Sequence, residues 1–144
     1  MTEQEILNDF VSKGVSLGLE YARGAEGVTA LYVYAAYEEG EAYAEVFFEQ
    51  AGRVLYPSDV RGVDNSESRI RQIHALQFQD LLEANDAFER AGVPLPTEYR
   101  IYYETGTGTL DVQISREIKF ANHPTKIMEQ GIEDWLGDRA PKLF

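Results

Sequence analysis

The chain has 144 residues, of which 44% are hydrophobic and 26% are charged, an ordinary composition for a single folded domain spanning residues 1–144. It contains no cysteine, which excludes disulfides, thiolate nucleophiles and cysteine-based zinc sites. The 25 acidic residues outnumber the 13 basic ones, and the formal net charge of −12 opposes direct binding to nucleic acid or to an anionic membrane. No signal peptide follows Met1 and no apolar run approaches the roughly 18 residues of a membrane span, so we expect a cytoplasmic protein.

The acidic charge is concentrated in the first part of the chain. Residues 1–60 carry a net charge of −8, whereas residues 61–144 carry −4. Charge alone allows two interpretations: a solvated surface that keeps a small protein in solution, or a face shaped for a basic partner.

The first predicted elements are a helix and a hairpin. Thr2 and Glu5 form a capping-box pattern, and apolar residues then recur every three or four positions, which predicts a helix over about residues 3–22. Residues 28–37 and 42–50 follow as a β-hairpin with its turn centred between Glu39 and Gly40.

This register gives the first hairpin two different faces. One face pairs Ala35 with Ala44, Val33 with Val46 and Leu31 with Phe48, and is apolar enough to be core. The other mixes tyrosines with carboxylates, a combination suited to binding a basic protein. The candidate partner-binding residues on this face and at the hairpin tip are Tyr32, Tyr34, Glu38, Glu39, Glu41, Tyr43, Glu45 and Glu49. The alternative is that a helix covers this face, burying the tyrosines and leaving the acids at its rim.

A short strand and a long helix come next. Val54-Leu55-Tyr56 predicts a third strand, which Pro57 stops, and residues 58–66 have no periodicity and are expected to form a loop. An apolar stripe then predicts a helix from about residue 67 to residue 91, ended by Gly92 and Pro94.

A second hairpin from Glu98 to Phe120 is the strongest structural pattern in the chain. A turn at 105–108, with a type II′ geometry centred on Gly106 and Thr107, places Tyr103 opposite Leu110 on one face and Tyr102 opposite Asp111 on the other. The alternation continues through Ile118 and Phe120, so we expect the second strand to extend that far.

A last helix is predicted after Asn122, its cap, with Pro124 in its first turn and Gly137 at its end. The element order is α-β-β-β-α-β-β-α. The predicted fold class is α+β: an antiparallel sheet of about five strands with helices packed mainly on one face.

No catalytic, cofactor-binding or metal-ligating set emerges from the sequence, so we do not expect an enzyme or a bound cofactor. The two histidines, His74 and His123, lack the spacing of a metal site and are expected to be structural or local capping residues. The segment at 105–108 lacks the lysine and the following helix of a phosphate-binding loop. Carboxylate pairs are expected by chance in so acidic a chain.

The order and patterns of residues 5–117 resemble the YezG-like immunity proteins that bacteria encode beside polymorphic toxins. The resemblance lies in the strands LYVYAAY and AEVFFEQ, in Leu81-Leu82 and Phe88 of the long helix, and in Pro96-Thr97 before YRIYYETGTGTLDVQISRE. It implies a small cytoplasmic α+β protein that neutralises one cognate toxin by binding it. The resemblance implies no catalytic residues for this chain.

The charge and the resemblance together favour an immunity protein whose partner is a protein toxin with a basic active-site cleft. The alternative from another class is a non-catalytic adaptor or structural subunit of a larger assembly. An enzyme with an unfamiliar site is a third hypothesis, which a deep pocket holding His74 or His123 beside carboxylates would support.

Overall fold

The computed structural model describes residues 1–142. Its elements follow the predicted order and confirm the α+β class. They are α1 (Glu3–Tyr21), β1 (Val28–Glu38), β2 (Glu41–Gln50), β3 (Arg53–Leu55), α2 (Glu67–Arg90), β4 (Glu98–Glu104), β5 (Leu110–Ser115) and α3 (Gln130–Leu136). Short 3-10 turns lie at Pro57–Asp59 and Gly137–Arg139.

The five strands form one antiparallel sheet in the order β3-β2-β1-β4-β5. Both predicted hairpin registers are confirmed: Val33 lies opposite Val46, and Tyr103 opposite Leu110. The central pairing of β1 with β4 joins the hairpins, so the first hairpin's polar face continues onto β4.

The turn of the second hairpin differs from the prediction. The amide of Gly108 donates to the carbonyl oxygen of Glu104 at 2.9 Å, and the amide of Glu104 donates to Thr109 at 2.9 Å. The left-handed residue is Gly108, with φ of 74°, rather than Gly106. The loop is therefore a four-residue connection, which preserves the strand register without a two-residue type II′ turn.

The long helices α1 and α2 cover one face of the sheet and form the main core with it. The capping box of Thr2 and Glu5 is confirmed, and Ser66 caps α2 by accepting a hydrogen bond from the amide of Arg69. The largest core side chains are fully buried, and each stabilises the fold by about 1.5–3 kcal/mol. They include Leu31, Phe48, Tyr99 and Ile101 from the sheet and Ile6, Ile73, Leu81 and Phe88 from the helices.

The chain leaves the sheet earlier than predicted. β5 ends at Ser115, so the expected strand through Phe120 is wrong. Arg116 turns away, because its guanidinium bonds Glu3 at 2.7 Å and the carbonyl oxygen of Pro94 at 3.0 Å. Residues 116–142, the C-terminal strap, then cross to the sheet face opposite α1 and α2, where Phe120 is buried.

The helix within the strap is shorter than predicted. It begins at Gln130, not after Asn122, because the ring Nδ1 of His123 accepts the amides of Thr125 and Lys126 and closes a local turn there. Gly137 ends α3 as predicted. Two long helices thus lie on one face and one short helix on the other.

Candidate binding site

The tyrosine face of the first hairpin is covered rather than open. Tyr32 and Tyr34 are 2% and 0% exposed, and Glu38 and Glu45 are also buried. The cover is the C-terminal strap, whose Ile132 and Met128 complete a second apolar cluster with these tyrosines. The expectation of an open tyrosine-rich surface is wrong; Tyr32 and Tyr34 are covered as in the alternative, but Glu38 and Glu45 are buried rather than left at the rim.

Trp135 of α3 fits the tyrosine face closely. Its ring lies edge-on to Tyr32 and Phe47, with centroid distances of 5.6 and 6.0 Å, and tilted against Tyr34 at 6.4 Å. Edge-to-face aromatic pairs add about 0.5–1.5 kcal/mol beyond the area that they bury. The aromatic residues that suggested a partner therefore stabilise the packing of the strap on the sheet.

Glu38 anchors the start of the strap. Its carboxylate accepts backbone hydrogen bonds from Lys119, Phe120 and Ala121 at 2.9, 3.1 and 2.8 Å. Charge-assisted hydrogen bonds of this kind are stronger than neutral ones and satisfy backbone donors that a strand would otherwise have paired. Glu38, predicted to contact a partner, therefore has a structural role in the fold.

Glu98 of β4 forms a second buried anchor. It accepts hydrogen bonds from the Tyr34 hydroxyl at 2.6 Å and the Lys119 ammonium at 2.8 Å, and Arg100 Nε lies 3.1 Å away as a charge contact without hydrogen-bond alignment. Burial, together with the hydrogen bond to Glu98, raises the pKa of Tyr34, so its hydroxyl remains a donor. Two carboxylates on the sheet thus hold Lys119.

The far end of the strap is fixed by Arg139. Its guanidinium donates to the Tyr32 hydroxyl at 2.9 Å and lies 3.5 Å from Glu49, to which Tyr32 also donates at 3.3 Å. Two of the predicted partner-binding residues, Tyr32 and Glu49, are therefore engaged within the molecule.

Glu45 turns around the outer edge of β2. Its carboxylate accepts the amide of Val46 at 3.2 Å and lies 3.0 Å from His74 Nε2 of α2. The hydrogen bond to Glu45 raises the pKa of His74. β3 pairs only with residues 48–50 of β2, so this carboxylate occupies a donor that the strand edge would otherwise expose.

The remaining predicted residues gather at an acidic cleft of about 620 Å³, between the tip of the first hairpin and the strap. Exposed carboxylates of Glu39, Glu41 and Glu129 form its rim. Its remaining lining is Glu38, Ala42, Tyr43, Phe120, Ala121, Lys126, Ile127 and Met128.

The electrostatic potential of the acidic cleft is negative, because the one basic residue in its lining, Lys126, is already paired with a carboxylate. Lys126 pairs with Asp134 and lies 5.5 Å above the ring of Phe120. Among residues 1–142, no cation lies within ion-pair distance of Glu39, Glu41 or Glu129. Such a cleft can receive a lysine or arginine side chain from another protein.

The sequence missed the strap's contribution to this site. Glu129 and the exposed Ile127 lie about ninety positions from the hairpin tip along the chain. The predicted last helix, starting after Asn122, would include Ile127, but α3 begins after this residue and Ile127 is 57% exposed. No local pattern brings these residues to Glu39 and Glu41.

Neither histidine of the chain lines the acidic cleft. His74 is half-buried against Glu45, and His123 caps a turn. In residues 1–142, no group of three or more His, Cys, Asp or Glu side chains is placed to hold a metal ion. Over the same residues, every helix is too short or too polar to cross a membrane.

Comparison of the chain with models of known protein families, and with curated proteins, found no match.

Proposed function

We propose that this protein neutralises a cognate bacterial toxin by binding it directly, with the acidic cleft receiving a basic segment of the toxin. The observation that carries the proposal is the rim of three exposed carboxylates, Glu39, Glu41 and Glu129, with no cation at ion-pair distance in the described chain. The rim adjoins an exposed apolar side chain, Ile127, which also lines the cleft.

The cleft combines the two features that a protein-binding site needs. The carboxylates speed encounter with a basic surface, and Ile127 with the half-buried Tyr43 offers apolar area at the point of contact. The strap is firmly anchored by Glu38 and Glu98, so it would lose little conformational freedom on binding.

The class of partner is supported by the resemblance to YezG-like immunity proteins and by the charge. A toxin that acts on nucleic acid or nucleotides needs a basic cleft, which an acidic protein can occlude. The proposed role is non-catalytic, and the partner is a protein.

The structure changes which residues test the proposal. Substitutions at Glu45 or Glu49 would disturb the contacts to His74 and Arg139, so lost binding would not report on the surface. Glu39 and Glu41 are exposed at the turn and make no side-chain hydrogen bond within residues 1–142. They can be reversed without removing an internal contact.

The test is a binding and inhibition assay against the toxin encoded beside this protein's gene. The double variant Glu39→Lys/Glu41→Lys should weaken binding by at least about tenfold, mainly through a slower association rate at low salt. The matched control is Glu20→Lys/Glu89→Lys, which changes the charge equally at exposed positions on α1 and α2. The control should change affinity by less than about threefold.

Equal affinity of the two variants, with both folded, would show that the acidic cleft is not the contact. Binding that leaves the toxin fully active would reject neutralisation and favour the adaptor role. Thermal unfolding of each variant verifies that the fold is intact.

A further inference from the structure

A second cleft, of about 660 Å³, lies at the other end of the first hairpin. One wall is the turn from β2 to β3 and the segment after it, and the other is the end of the strap. Its charged lining residues are Arg53, Asp59, Arg61, Asp138, Arg139 and Lys142. Four cations thus line one cleft of a chain whose net charge is −12.

Most cations of the protein, Arg139 of this cleft among them, are neutralised by carboxylates. Eight of the 13 lysines and arginines lie within 4.0 Å of a carboxylate oxygen. Of the other five, Arg53, Arg61 and Lys142 all line this cleft and have no such contact among residues 1–142. In a chain with so large an excess of acid, this grouping of unneutralised cations is unexpected for a merely solvated surface.

Two of the cations are held in place, Arg61 through its backbone and Arg139 through its side chain. The buried side chain of Gln50 accepts the amide of Arg61 at 2.9 Å and donates to its carbonyl oxygen at 2.9 Å, clamping that loop against β2. Arg139 is held by Tyr32 and Glu49. A guanidinium group that is already held in place, as that of Arg139 is, loses less conformational entropy on binding an anion than a free side chain does.

From this arrangement we infer that the cleft binds a small anion that carries two or more linked phosphate groups. Guanidinium groups pair with phosphate through two parallel hydrogen bonds, and the volume is that of a small-molecule site. Asp59 and Asp138 oppose weakly charged anions, so a ligand of high charge is selected. Among residues 1–142 the lining offers guanidinium and ammonium groups and no aromatic ring, so the recognition that it supports is of phosphate groups.

The experiment titrates sodium tripolyphosphate into the full chain by calorimetry, at low ionic strength. We expect saturable binding of one equivalent, weakened at least about tenfold in the double variant Arg53→Gln/Arg61→Gln. The matched control is Arg23→Gln/Arg90→Gln, which removes the same charge at exposed positions outside the cleft. It should weaken binding by less than about threefold.

Three results would overturn the inference: no saturable binding, equal weakening in both double variants, or citrate binding as tightly as tripolyphosphate. Arg53 and Arg61 are exposed, and Arg61 contacts Gln50 through its backbone and not through its side chain. Both variants should therefore fold. Unfolding temperatures without ligand check this. The outcome is independent of toxin binding, because the acidic cleft and this cleft share no lining residue.

Discussion

The carboxylate of Glu45 has two partners from different parts of the fold, the Val46 amide of its own strand and the His74 ring of α2. The ion pair forms only when His74 is protonated. Because the hydrogen bond to Glu45 raises the pKa of His74, protonation is easier in the folded chain than in the unfolded one. Burial of the ring opposes this rise but is the smaller effect.

The pair makes stability depend on pH in a defined direction. A raised folded-state pKa stabilises the fold fully below the unfolded pKa of His74, about 6.5, and this contribution disappears as the pH rises through the folded pKa. The substitution Glu45→Gln should lower the pKa of His74, which is measured by NMR titration of its ring proton. It should also reduce the amount by which the unfolding temperature at pH 5.5 exceeds the unfolding temperature at higher pH. Glu41→Gln removes an exposed carboxylate away from His74 and is the control. An unchanged His74 titration in Glu45→Gln would contradict the assignment.

The strap is held against the sheet by close contact as well as by its anchors. A Cβ atom placed on Gly131 of α3 would lie 1.8 Å from the Tyr34 hydroxyl oxygen. Tyr34 cannot move aside easily, since its ring is fully buried and its hydroxyl is bound to Glu98. The absence of a side chain at Gly131 therefore lets α3 seat on the tyrosine face.

Replacing Gly131→Ala should displace α3 and destabilise the protein by about 1–3 kcal/mol, the usual cost of overfilling a core. The only tryptophan of the chain, Trp135, lies one turn away, so its fluorescence should shift to the red as it becomes more exposed. Gly106→Ala is the control, because Gly106 has no neighbour within 4 Å of the added atom and no positive φ. Indistinguishable unfolding and emission of the two variants would show that α3 is not seated in this way.

The two hairpins of the sheet could be predicted from the sequence because their information is local, whereas the pairing of β1 with β4 is not local and was not predicted. The alternation in β1 and β2, with a turn at Glu39 and Gly40, admits one register that sorts apolar from polar residues. The cover on the second face could not be predicted, because Tyr32 and Tyr34 alternate in the same way whether they meet solvent or Trp135. The decisive contacts, from Glu38 to the amides after Ile118, span about 80 residues.

The candidate site was predicted only in part, because some of its residues are exposed for local reasons and others are placed by long-range contacts. Glu39 and Glu41 lie at the tip of the hairpin and are exposed, as is usual for residues at a turn. Glu45 and Glu49 have the same charge but sit on covered or edge positions, where His74 and Arg139 reach them. Tertiary contacts decide which carboxylates remain unpaired, and a count of the charges in the sequence does not reveal these contacts.

Charge acts on the molecule as a whole as well as at single sites. Acids outnumber bases by 12, and several ion pairs, such as those of Arg71 with Glu67 and Arg90 with Asp86, are highly exposed. Exposed pairs contribute about 0–1 kcal/mol each, so repulsion among the excess carboxylates should outweigh them in the folded state.

Screening this repulsion should therefore stabilise the protein. Between 10 and 150 mM NaCl the Debye length falls from about 30 to about 8 Å, and we expect the unfolding temperature to rise by about 2–4 °C, measured by calorimetry. The variant Glu20→Lys/Glu89→Lys has a formal net charge of −8, since each reversal adds two charges, and should gain less from salt. A lower unfolding temperature at 150 mM NaCl would mean that the ion pairs, led by the buried contacts of Glu98 with Lys119 and Arg100, contribute more than the repulsion costs.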